Sequence, residues 1–477
     1  MEYFLGVDIG TTSVKTIAFS SAGKALYEQS ISYPTVHPFP DRSEQNPEQI
    51  AEAVFKTVEN MLQLTSPSIP LSIGFSSAMH SLIAVDSKGK ALSPCLIWAD
   101  NRAASVAENI HKQNIAGKIY QLTGVPVHAM SPFCKLLWIR EQEPELYQSA
   151  HKFIGIKEFI FFKLFQTFCV DMSIAAATGL MNEAEKEWDP WMLELLELPD
   201  EKLSEITDTQ HVFYSPEKFP SLKNVAFVIG GSDGAMANLG ASDEAGTLVV
   251  TVGTSSAARI VTSRPHFDPL MRTFCYRQAD EKWLIGGASN NGAVVLQWLH
   301  EKYFNSVEKF ESFLDKAKAV APGAGGLIFL PYLLGERAPR WNAKAKAVLF
   351  GLTIEHGQEE MVRASMEAVI YCLYSISQPL FEKTNIKKIY ATGGFARNEL
   401  WLQILADIFN LPVVVGETIE NSAWGAAKSA MMALSLNGNT VQKIEKSFTP
   451  DHASHLVYAL LFKKFQHLYT VLKEEFE

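Results

Sequence analysis

Two short turns in the sequence combine glycine with hydroxyl groups, and the first of them follows a carboxylate. In GVDIGTTSVK an apolar run carries Asp8, and Gly10, Thr11, Thr12 and Lys15 come after it. The spacing matches neither the G-x-x-x-x-G-K-[ST] loop nor the G-x-G-x-x-G fingerprint. Such a turn presents donors that can form an anion-binding nest, although a plain hairpin turn better explains one such stretch alone. The lysine falls on the second predicted strand, where a structural and a phosphate-binding role are both open.

The stretch VVTVGTSSA repeats this arrangement in the second half of the chain. Gly253, Thr254 and Ser255 overlay on the Gly-Thr-Thr of the first turn. Because both turns join two predicted strands, the pair predicts two domains of similar build that clamp a nucleotide between them. One repeat cannot indicate a solenoid, which requires several units.

Asp233 lies where an apolar strand is followed by a predicted helix, within GGSDGAMANLGA. An acid at such a junction can simply be a helix N-cap. The glycines on both sides, however, allow a substrate to approach the backbone closely. A carboxylate there can accept a proton from a substrate hydroxyl and orient the oxygen for attack, so Asp233 is the candidate general base.

The turn Gly393-Gly394 separates another predicted strand from a helix that Asn398 can cap. Paired glycines at this position permit the close approach of a flat nucleoside or its phosphates. Because such turns are common in α/β proteins, this one supports a nucleotide site only together with the two hydroxyl-rich turns.

Three loops supply candidate ligands for a polyhydroxylated molecule. An indole face can pack on C–H surface while carboxylate and guanidinium groups bind hydroxyls. A core tryptophan, a hydrogen-bonded loop histidine and a plain Glu–Arg ion pair are the alternatives. The candidates in SSAMHSL, IWADNR and YLLGERAPRW are His80, Trp98, Asp100, Arg102, Glu336 and Arg337.

The elements that must position these residues alternate between strands and helices. Strands are predicted at Tyr3–Ile9, Lys15–Ser20 and Ala25–Ser32, separated by short turns. Helices are predicted to start at Asn46-Pro47 and at Ser131-Pro132, where a capping side chain precedes a proline. This alternation favours an α/β fold.

Composition excludes several classes of protein. A chain of 477 residues is too long for one ordinary core, and its 47% hydrophobic and 20% charged residues are typical of globular domains. The net charge of −10 argues against a nucleic-acid partner. Five scattered cysteines predict free thiols in a reducing compartment rather than disulfides or a zinc site. Neither a signal peptide nor a membrane span is expected, so we expect a cytoplasmic protein with no membrane partner.

Together the motifs resemble those of the FGGY family of carbohydrate kinases, within the superfamily of sugar kinases, actin and Hsp70 ATPases. MSPFCKLLWIREQ (130–142) is similar to the first signature of the family, and AVLFGLTIEHGQEEMVRASME (347–367) to the second. DIGTTSVK and TVGTSSAA resemble the two phosphate loops of the superfamily, and ATGGFARN resembles its adenosine motif. These five motifs occur in the family order along nearly the whole chain.

The resemblance implies two actin-like (ribonuclease H-like) domains, each a mixed sheet flanked by helices, with the active site in the cleft. We expect a domain at 1–240 for the sugar and first phosphate loop, and one at 241–477 for the second loop and adenosine. ATP and Mg²⁺ are the implied cofactors. The family pattern makes Asp233 the base and places magnesium at Asp8, with Asp233 beside it. The implied ATP contacts are Gly10, Thr11, Thr12, Lys15, Gly253, Thr254, Ser255, Gly393, Gly394 and Asn398.

The loop sequences, including GASNNG, are most similar to those of FGGY-type gluconate kinases. We therefore expect ATP-dependent phosphorylation of D-gluconate to 6-phosphogluconate. Xylulose or another ketose or polyol is the alternative substrate, and a homodimer is left open. Candidate partners of the substrate carboxylate are Arg102, Lys135 and Arg337. The implied substrate contacts are His80, Trp98, Asp100, Arg102, Asp233, Asn291, Glu336 and Arg337.

Two other classes of function fit fewer motifs. An actin-like or Hsp70-like ATPase needs both phosphate loops, but neither FGGY signature nor the polar loops. A sugar-responsive regulator without catalysis would carry a DNA-binding segment, which we do not expect in a sequence whose first motif begins at Tyr3.

Overall fold

Two β-sheets organise the computed structural model, which describes residues 2–242, 244–279, 281–418, 420–436 and 443–476. One sheet has six strands and the other has seven. Buried apolar side chains form a large cluster around each sheet. A further cluster fills the helical segment between Leu82 and Leu203.

The first half of the chain forms the six-stranded sheet. The strands of this half are β1 (Phe4–Ile9), β2 (Ser13–Phe19), β3 (Ala25–Ser32), β4 (Glu44–Gln45), β5 (Ser72–Ser77), β6 (Ile83–Val85), β7 (Cys95–Leu96), β8 (Lys152–Ile154), β9 (Cys169–Asp171), β10 (Glu205–Thr207), β11 (Val212–Phe213) and β12 (Ala226–Ser232). The sheet order is β11-β12-β5-β1-β2-β3. Strand β1 pairs antiparallel with β2 and parallel with β5, so the sheet is mixed.

The second half repeats the same local arrangement. Its strands are β13 (Thr247–Val252), β14 (Ser256–Thr262), β15 (Phe274–Ala279), β16 (Lys282–Ser289), β17 (Ile328–Leu330), β18 (Val348–Phe350), β19 (Lys388–Thr392), β20 (Val413–Gly416) and β21 (Ile444–Phe448). The sheet order is β15-β16-β14-β13-β19-β20-β21. Strand β13 pairs antiparallel with β14 and parallel with β19, as β1 does with β2 and β5. The predicted pair of strand-turn-strand units is therefore confirmed.

Helices cover the sheets and begin at the predicted caps. Asn46, Ser131 and Asn398 accept hydrogen bonds from the first turns of the helices that begin directly after them. No helix in the described ranges is long and apolar enough to cross a bilayer. The helices are α1 (Pro47–Thr65), α2 (Ala104–Lys112), α3 (Ala116–Thr123), α4 (Pro132–Gln142), α5 (Pro144–Ser149), α6 (Ile156–Phe165), α7 (Met172–Ala176), α8 (Pro190–Leu196), α9 (Asp233–Ala241), α10 (Val294–Trp298), α11 (Phe310–Asp315), α12 (Gln358–Phe381), α13 (Glu399–Phe409), α14 (Asn421–Ala433) and α15 (His452–Leu472).

The chain leaves the first sheet through α9 and enters the second at β13. The domain boundary at 240/241 stays a prediction. The five cysteines are buried free thiols, as the sequence predicted. Their burial fits packing positions rather than reactive ones.

Helix α14 lies between β20 and β21 of the second sheet in the chain but packs on the first sheet. A Cβ added at Gly6 of β1 or at Gly74 of β5 would lie 1.9 Å from a backbone oxygen of α14. At the crossing of α14 with α9, a Cβ on Gly425 would lie 1.8 Å from the Met236 oxygen. Glycine is therefore required at these positions, because backbone directly contacts backbone.

This contact predicts a strong effect of a single methyl group. Gly425→Ala should lower the free energy of unfolding by about 1–3 kcal/mol, because its Cβ has no space at the crossing. Gly117→Ala is the matched control, since a Cβ there meets no atom within 4 Å. It should stabilise the exposed start of α3 slightly. Thermal and urea unfolding would measure both, and equal stability of the two variants would contradict the packing described here.

Candidate active site

The loop between β1 and β2 holds the first group of hydroxyl donors. Tyr33 Oη donates to the Gly10 oxygen at 2.5 Å, and Trp98 Nε1 donates to Thr11 Oγ1 at 2.8 Å. These contacts fix the loop from one side, while Thr12 at its tip is exposed. The loop is thus rigid and still open to a ligand.

The loop between β13 and β14 is anchored in a similar way. The Gly253 amide donates to the Ser255 oxygen at 2.9 Å, which closes the turn. The Gly253 and Thr254 oxygens accept from the amides of Ala293 and Gly292 at 2.8 and 3.1 Å. The segment after β16 therefore holds this loop in place beside the cleft.

Asp8 lies on β1, just before the first loop. Its Oδ1 accepts a hydrogen bond from Ser76 Oγ on the neighbouring strand at 2.7 Å. Burial is the main reason that the pKa of Asp8 is raised to about 6. The hydrogen bond from Ser76 opposes this shift, and the nearby negative charges of Asp233 and Glu420 add to it. Asp8 and Asp233 are therefore close enough to repel one another.

Asp233 is the first residue of α9 and not its N-cap. Ser232 takes that role, because its Oγ accepts the Ala235 amide at 3.2 Å. The Asp233 carboxylate is left to accept from the Gly234 amide at 2.6 Å. Burial raises its pKa, and the positive charge of Arg259 opposes that shift. The N-cap explanation of this acid is excluded, and the carboxylate faces a cavity.

That cavity has a volume of about 270 Å³ and lies between the two sheets. It brings both hydroxyl-rich loops together with the candidate base and with the predicted His80, Trp98 and Arg337. Its walls are Thr11, Thr12, Met79, His80, Trp98, Met130, Asp233, Thr254, Ser255, Ala257, Arg259, Phe274, Tyr276, Ala288, Arg337 and Trp341. We call it the acceptor cavity.

A second cavity of about 590 Å³ lies on the other side of the second loop. Gly253, Thr254, Gly394 and Asn398 line it, together with apolar side chains of α11 and α13. Gly393 has a φ of 93°, and a Cβ there would lie 2.6 Å from the Val252 oxygen. We call this the nucleoside cavity. Thr254 borders both cavities, so a phosphate group at this residue would lie between a molecule bound in one cavity and a molecule bound in the other.

His80 enters the acceptor cavity as a neutral ring. Its Nδ1 bonds to the Ala177 oxygen at 2.9 Å, and burial lowers its pKa to about 3. A carbonyl only accepts, so Nδ1 carries the proton and Nε2 is an acceptor. Its backbone oxygen accepts from Lys135 Nζ at 2.7 Å. The ring can therefore accept a hydrogen bond from a ligand hydroxyl, but it carries no charge.

Asp100 and Arg102 do not line the acceptor cavity. Arg102 Nε donates to Asp100 Oδ1 at 2.7 Å, and its Nη2 donates to Glu44 Oε1 at 2.5 Å. The Ser43 amide donates to the other Asp100 oxygen at 2.8 Å. In this buried network Asp100 and Arg102 form their hydrogen bonds with other protein groups. The two residues therefore support the loop that carries Trp98.

Asn291 and Glu336 likewise lie behind the cavity wall. Ser289 Oγ and the Arg337 amide donate to the Glu336 carboxylate, both at 2.8 Å. Asn291 Nδ2 donates to the Gly335 oxygen at 2.7 Å. These bonds join the end of β16 to the segment that carries Arg337. The guanidinium carbon of Arg337 lies 4.6 Å from the centroid of the Trp98 ring, a cation–π contact in place of the plain ion pair considered above.

Two lysines named from the sequence are engaged elsewhere. Lys15 Nζ pairs with Glu420 at 2.7 Å, which fits its structural alternative. Lys135 is buried and donates to the backbone oxygens of His80, Leu96 and Ile97. Of the three cations predicted to pair a substrate carboxylate, only Arg337 lines the acceptor cavity.

Sequence reasoning missed several residues of the wall, above all Arg259 and Tyr276. Arg259 lies on β14, two residues after Ala257, so both side chains point to the same face of the strand. A charged residue within this otherwise apolar strand was the available signal. Tyr276 belongs to β15, whose place at the cleft follows only from the sheet order.

Comparison with known protein families matches the two halves of the chain separately. Residues 3–240 match the N-terminal domain of the FGGY family of carbohydrate kinases, and residues 248–434 match its C-terminal domain. The chain belongs to this family. It is therefore a carbohydrate kinase with an actin-like two-domain fold, as the sequence predicted, and carbohydrate kinases of this family use ATP.

Three relatives illustrate the likeness. The gluconokinase of Bacillus subtilis (strain 168) is 41% identical over 442 residues, which cover 89% of this chain and 86% of that protein. The gluconate kinase structure from Lactobacillus acidophilus has a TM-score of 0.93 and 33% identity, covering 99% of this chain and 98% of that one. The ligand-bound xylulose kinase structure from Lactobacillus acidophilus has a TM-score of 0.94 and 33% identity, covering 99% of both chains. Two sugars are thus represented among similar proteins.

The raised pKa of Asp8 predicts a pH-dependent stability. Its folded pKa of about 6 exceeds the ordinary 3.8, so this residue favours the fold below pH 3.8 and loses that contribution as pH rises through 6. Asp8→Asn should therefore be more thermally stable than the wild type at about pH 7.5, and the difference should shrink towards about pH 4.

Asp86→Asn is the control for this experiment, because the pKa of Asp86 is lowered whereas that of Asp8 is raised. Asp86 accepts the amides of Lys88 and Lys90, and these bonds lower its pKa. Thermal midpoints of this variant should be unchanged or slightly lower at neutral pH. A gain for Asp86→Asn matching that of Asp8→Asn would refute the electrostatic explanation.

Proposed function

We propose that this kinase transfers the γ-phosphoryl group of ATP to the terminal hydroxyl of D-gluconate, giving 6-phosphogluconate. The observation that carries the proposal is the position of Asp233. Its buried carboxylate lines an acceptor cavity that meets the nucleoside cavity at Thr254. A hydroxyl bound beside Asp233 would lie next to the phosphate end of a nucleotide bound across Thr254.

Asp233 acts as the general base in this proposal. It accepts the hydroxyl proton as the oxygen attacks the γ-phosphorus, the bond to the β-phosphate oxygen breaks, and ADP leaves. Burial raises the pKa of Asp233, which makes the carboxylate a better proton acceptor, while Arg259 keeps enough of it ionised. Phosphoryl transfer otherwise depends on alignment and charge stabilisation, which the two fixed loops provide.

The nucleotide is expected to lie along the second loop and the Gly393-Gly394 turn. The open space at Gly253 and Gly394, where a Cβ would meet no atom within 4 Å, suits close approach of phosphates and sugar. The amides and hydroxyls of Thr11, Thr12, Thr254 and Ser255 are the candidate phosphate donors.

Asp8 is the candidate holder of Mg²⁺, with Asp233 beside it. No cluster of three or more His, Cys, Asp or Glu side chains in the described part of the chain could hold a metal by itself. Mg²⁺ usually combines one or two carboxylates with water and phosphate oxygens, so this sparse donor set fits. When bound, the ion supplies positive charge that offsets the charge on the phosphates.

Gluconate is preferred over xylulose on two grounds. The Bacillus subtilis gluconokinase is 41% identical to this chain, whereas the xylulose kinase of Staphylococcus xylosus is 30% identical. The acceptor cavity also contains two buried guanidinium groups, of Arg259 and Arg337, to which a sugar acid brings a further negative charge and a neutral ketose does not. Xylulose remains the second candidate.

Replacing Asp233 should slow the chemical step and leave ATP binding largely unchanged. Asp233→Asn is expected to lower kcat by roughly 10²–10⁴-fold, because the amide cannot take the proton. The affinity for ATP, measured by calorimetry, should change little. Asp208→Asn, at an exposed carboxylate outside both cavities, is the matched control and should retain activity. A near-normal kcat for Asp233→Asn would remove the base assignment.

The substrate is tested by an ADP-release assay on D-gluconate, D-xylulose, D-ribulose, glycerol and L-fuculose. The highest kcat/KM is expected for D-gluconate. Reactions without any acceptor give the background of idle ATP hydrolysis. Activity on D-xylulose with none on D-gluconate would replace the proposed substrate by the second candidate and leave the kinase mechanism intact.

A further inference from the structure

Two arginines in the acceptor cavity have donors that the protein does not use. Arg259 and Arg337 are each 7% exposed. Arg259 Nη2 donates to Thr251 Oγ1 at 2.7 Å, and Arg337 Nη2 donates to the Ser289 oxygen at 3.3 Å. The Nε groups of both are buried and have no hydrogen-bond partner within the described residues.

Tyr276 adds a third donor of the same kind. Its Oη is buried without a partner among the described residues, and it lines the same cavity as the two arginines. Burial raises the pKa of the phenol, so it remains a donor at neutral pH. Buried donors without acceptors cost free energy, and a polar ligand that brings acceptors into the cavity recovers it.

The charged groups around the cavity indicate the charge of the ligand that it can bind. The burial of Arg337 and the neighbouring charge of Arg259 lower the pKa of the Arg337 guanidinium to about 10. Their fixed counter-charges are Asp233, which both arginines share, and Glu336, whose pKa burial raises to about 7. Two buried guanidinium groups that share the Asp233 carboxylate in one cavity favour a ligand that carries a further negative charge.

We propose that Arg259 and Arg337, with Tyr276, bind the carboxylate of the acceptor and so select a sugar acid over a neutral sugar. This assignment rests on the proposed function and adds the residues that determine its specificity. Guanidinium groups suit the task, because they bind carboxylate oxygens through paired N–H donors. The cation–π contact with the Trp98 ring helps to hold the Arg337 guanidinium in place.

Arg259 has one other conceivable task, which is to hold Asp233. A Cβ on Gly234 would lie 3.1 Å from Arg259 Nη1, so the guanidinium is next to the residue that follows the base. The two tasks differ in their kinetic effects. Loss of a carboxylate partner weakens the binding of acids alone, whereas a misplaced base lowers kcat for every acceptor.

The test compares D-gluconate with D-gluconamide, in which the carboxylate is a neutral amide of the same shape. Arg259→Met and Arg337→Met are expected to raise KM for D-gluconate by about 10- to 100-fold. The KM of each variant for D-gluconamide should change less than about threefold. Any fall in kcat, expected for Arg259→Met because Arg259 also favours the ionised form of Asp233, should be the same for both acceptors. Arg259→Lys, which keeps the charge, should lose less than Arg259→Met.

Arg264→Met is the matched control, because this arginine is exposed just beyond β14. It should behave as the wild type, and thermal midpoints show whether each variant is folded. Equal rises in KM for D-gluconate and D-gluconamide, or a loss confined to kcat, would overturn the carboxylate site while the kinase remains a gluconate kinase. A wild type that phosphorylates D-xylulose but not D-gluconate would overturn the proposed substrate and this site together.

Discussion

The close packing of α14 on the first sheet is the contact on which the active site depends. Glycines on both sides allow the backbones to touch, so the helix cannot shift without losing that fit. Its N-terminal residues contact three parts of the site: Glu420 pairs with Lys15, Asn421 Nδ2 donates to Thr392 Oγ1, and Ser422 Oγ donates to the Asp233 oxygen. One helix thereby fixes the first loop, the Gly393-Gly394 turn and Asp233 relative to one another.

Burial of charge is the second constraint. Asp8 and Asp233 lie close together with raised pKa values, which is unfavourable for the folded protein but useful for accepting a proton or a cation. Arg259 and Arg337 offset part of that negative charge from the opposite wall. The site therefore holds opposing charges that the protein itself leaves incompletely paired, as is typical of active sites.

Local features were predictable because local chemistry specifies them. The caps at Asn46, Ser131 and Asn398 and the strands around the two loops lie where the sequence placed them, since they depend only on neighbouring residues. The residue types of Asp100 and Arg102 suited a sugar equally well, but their partners Ser43 and Glu44 come from a distant segment. Arg259 was missed for the converse reason, since only the tertiary structure brings β14 beside Asp233.

The sequence by itself determined the family, the strand-turn-strand units and Asp233 as the candidate base, because motif order and turn chemistry are properties of short segments. Tertiary structure decided which polar groups face the cavity. Asp100, Arg102 and Glu336 are satisfied within the protein, whereas Arg259, Tyr276 and Arg337 retain free donors. The physical reason is that a buried polar group must find a partner, and only the folded arrangement shows which groups have found one in the protein.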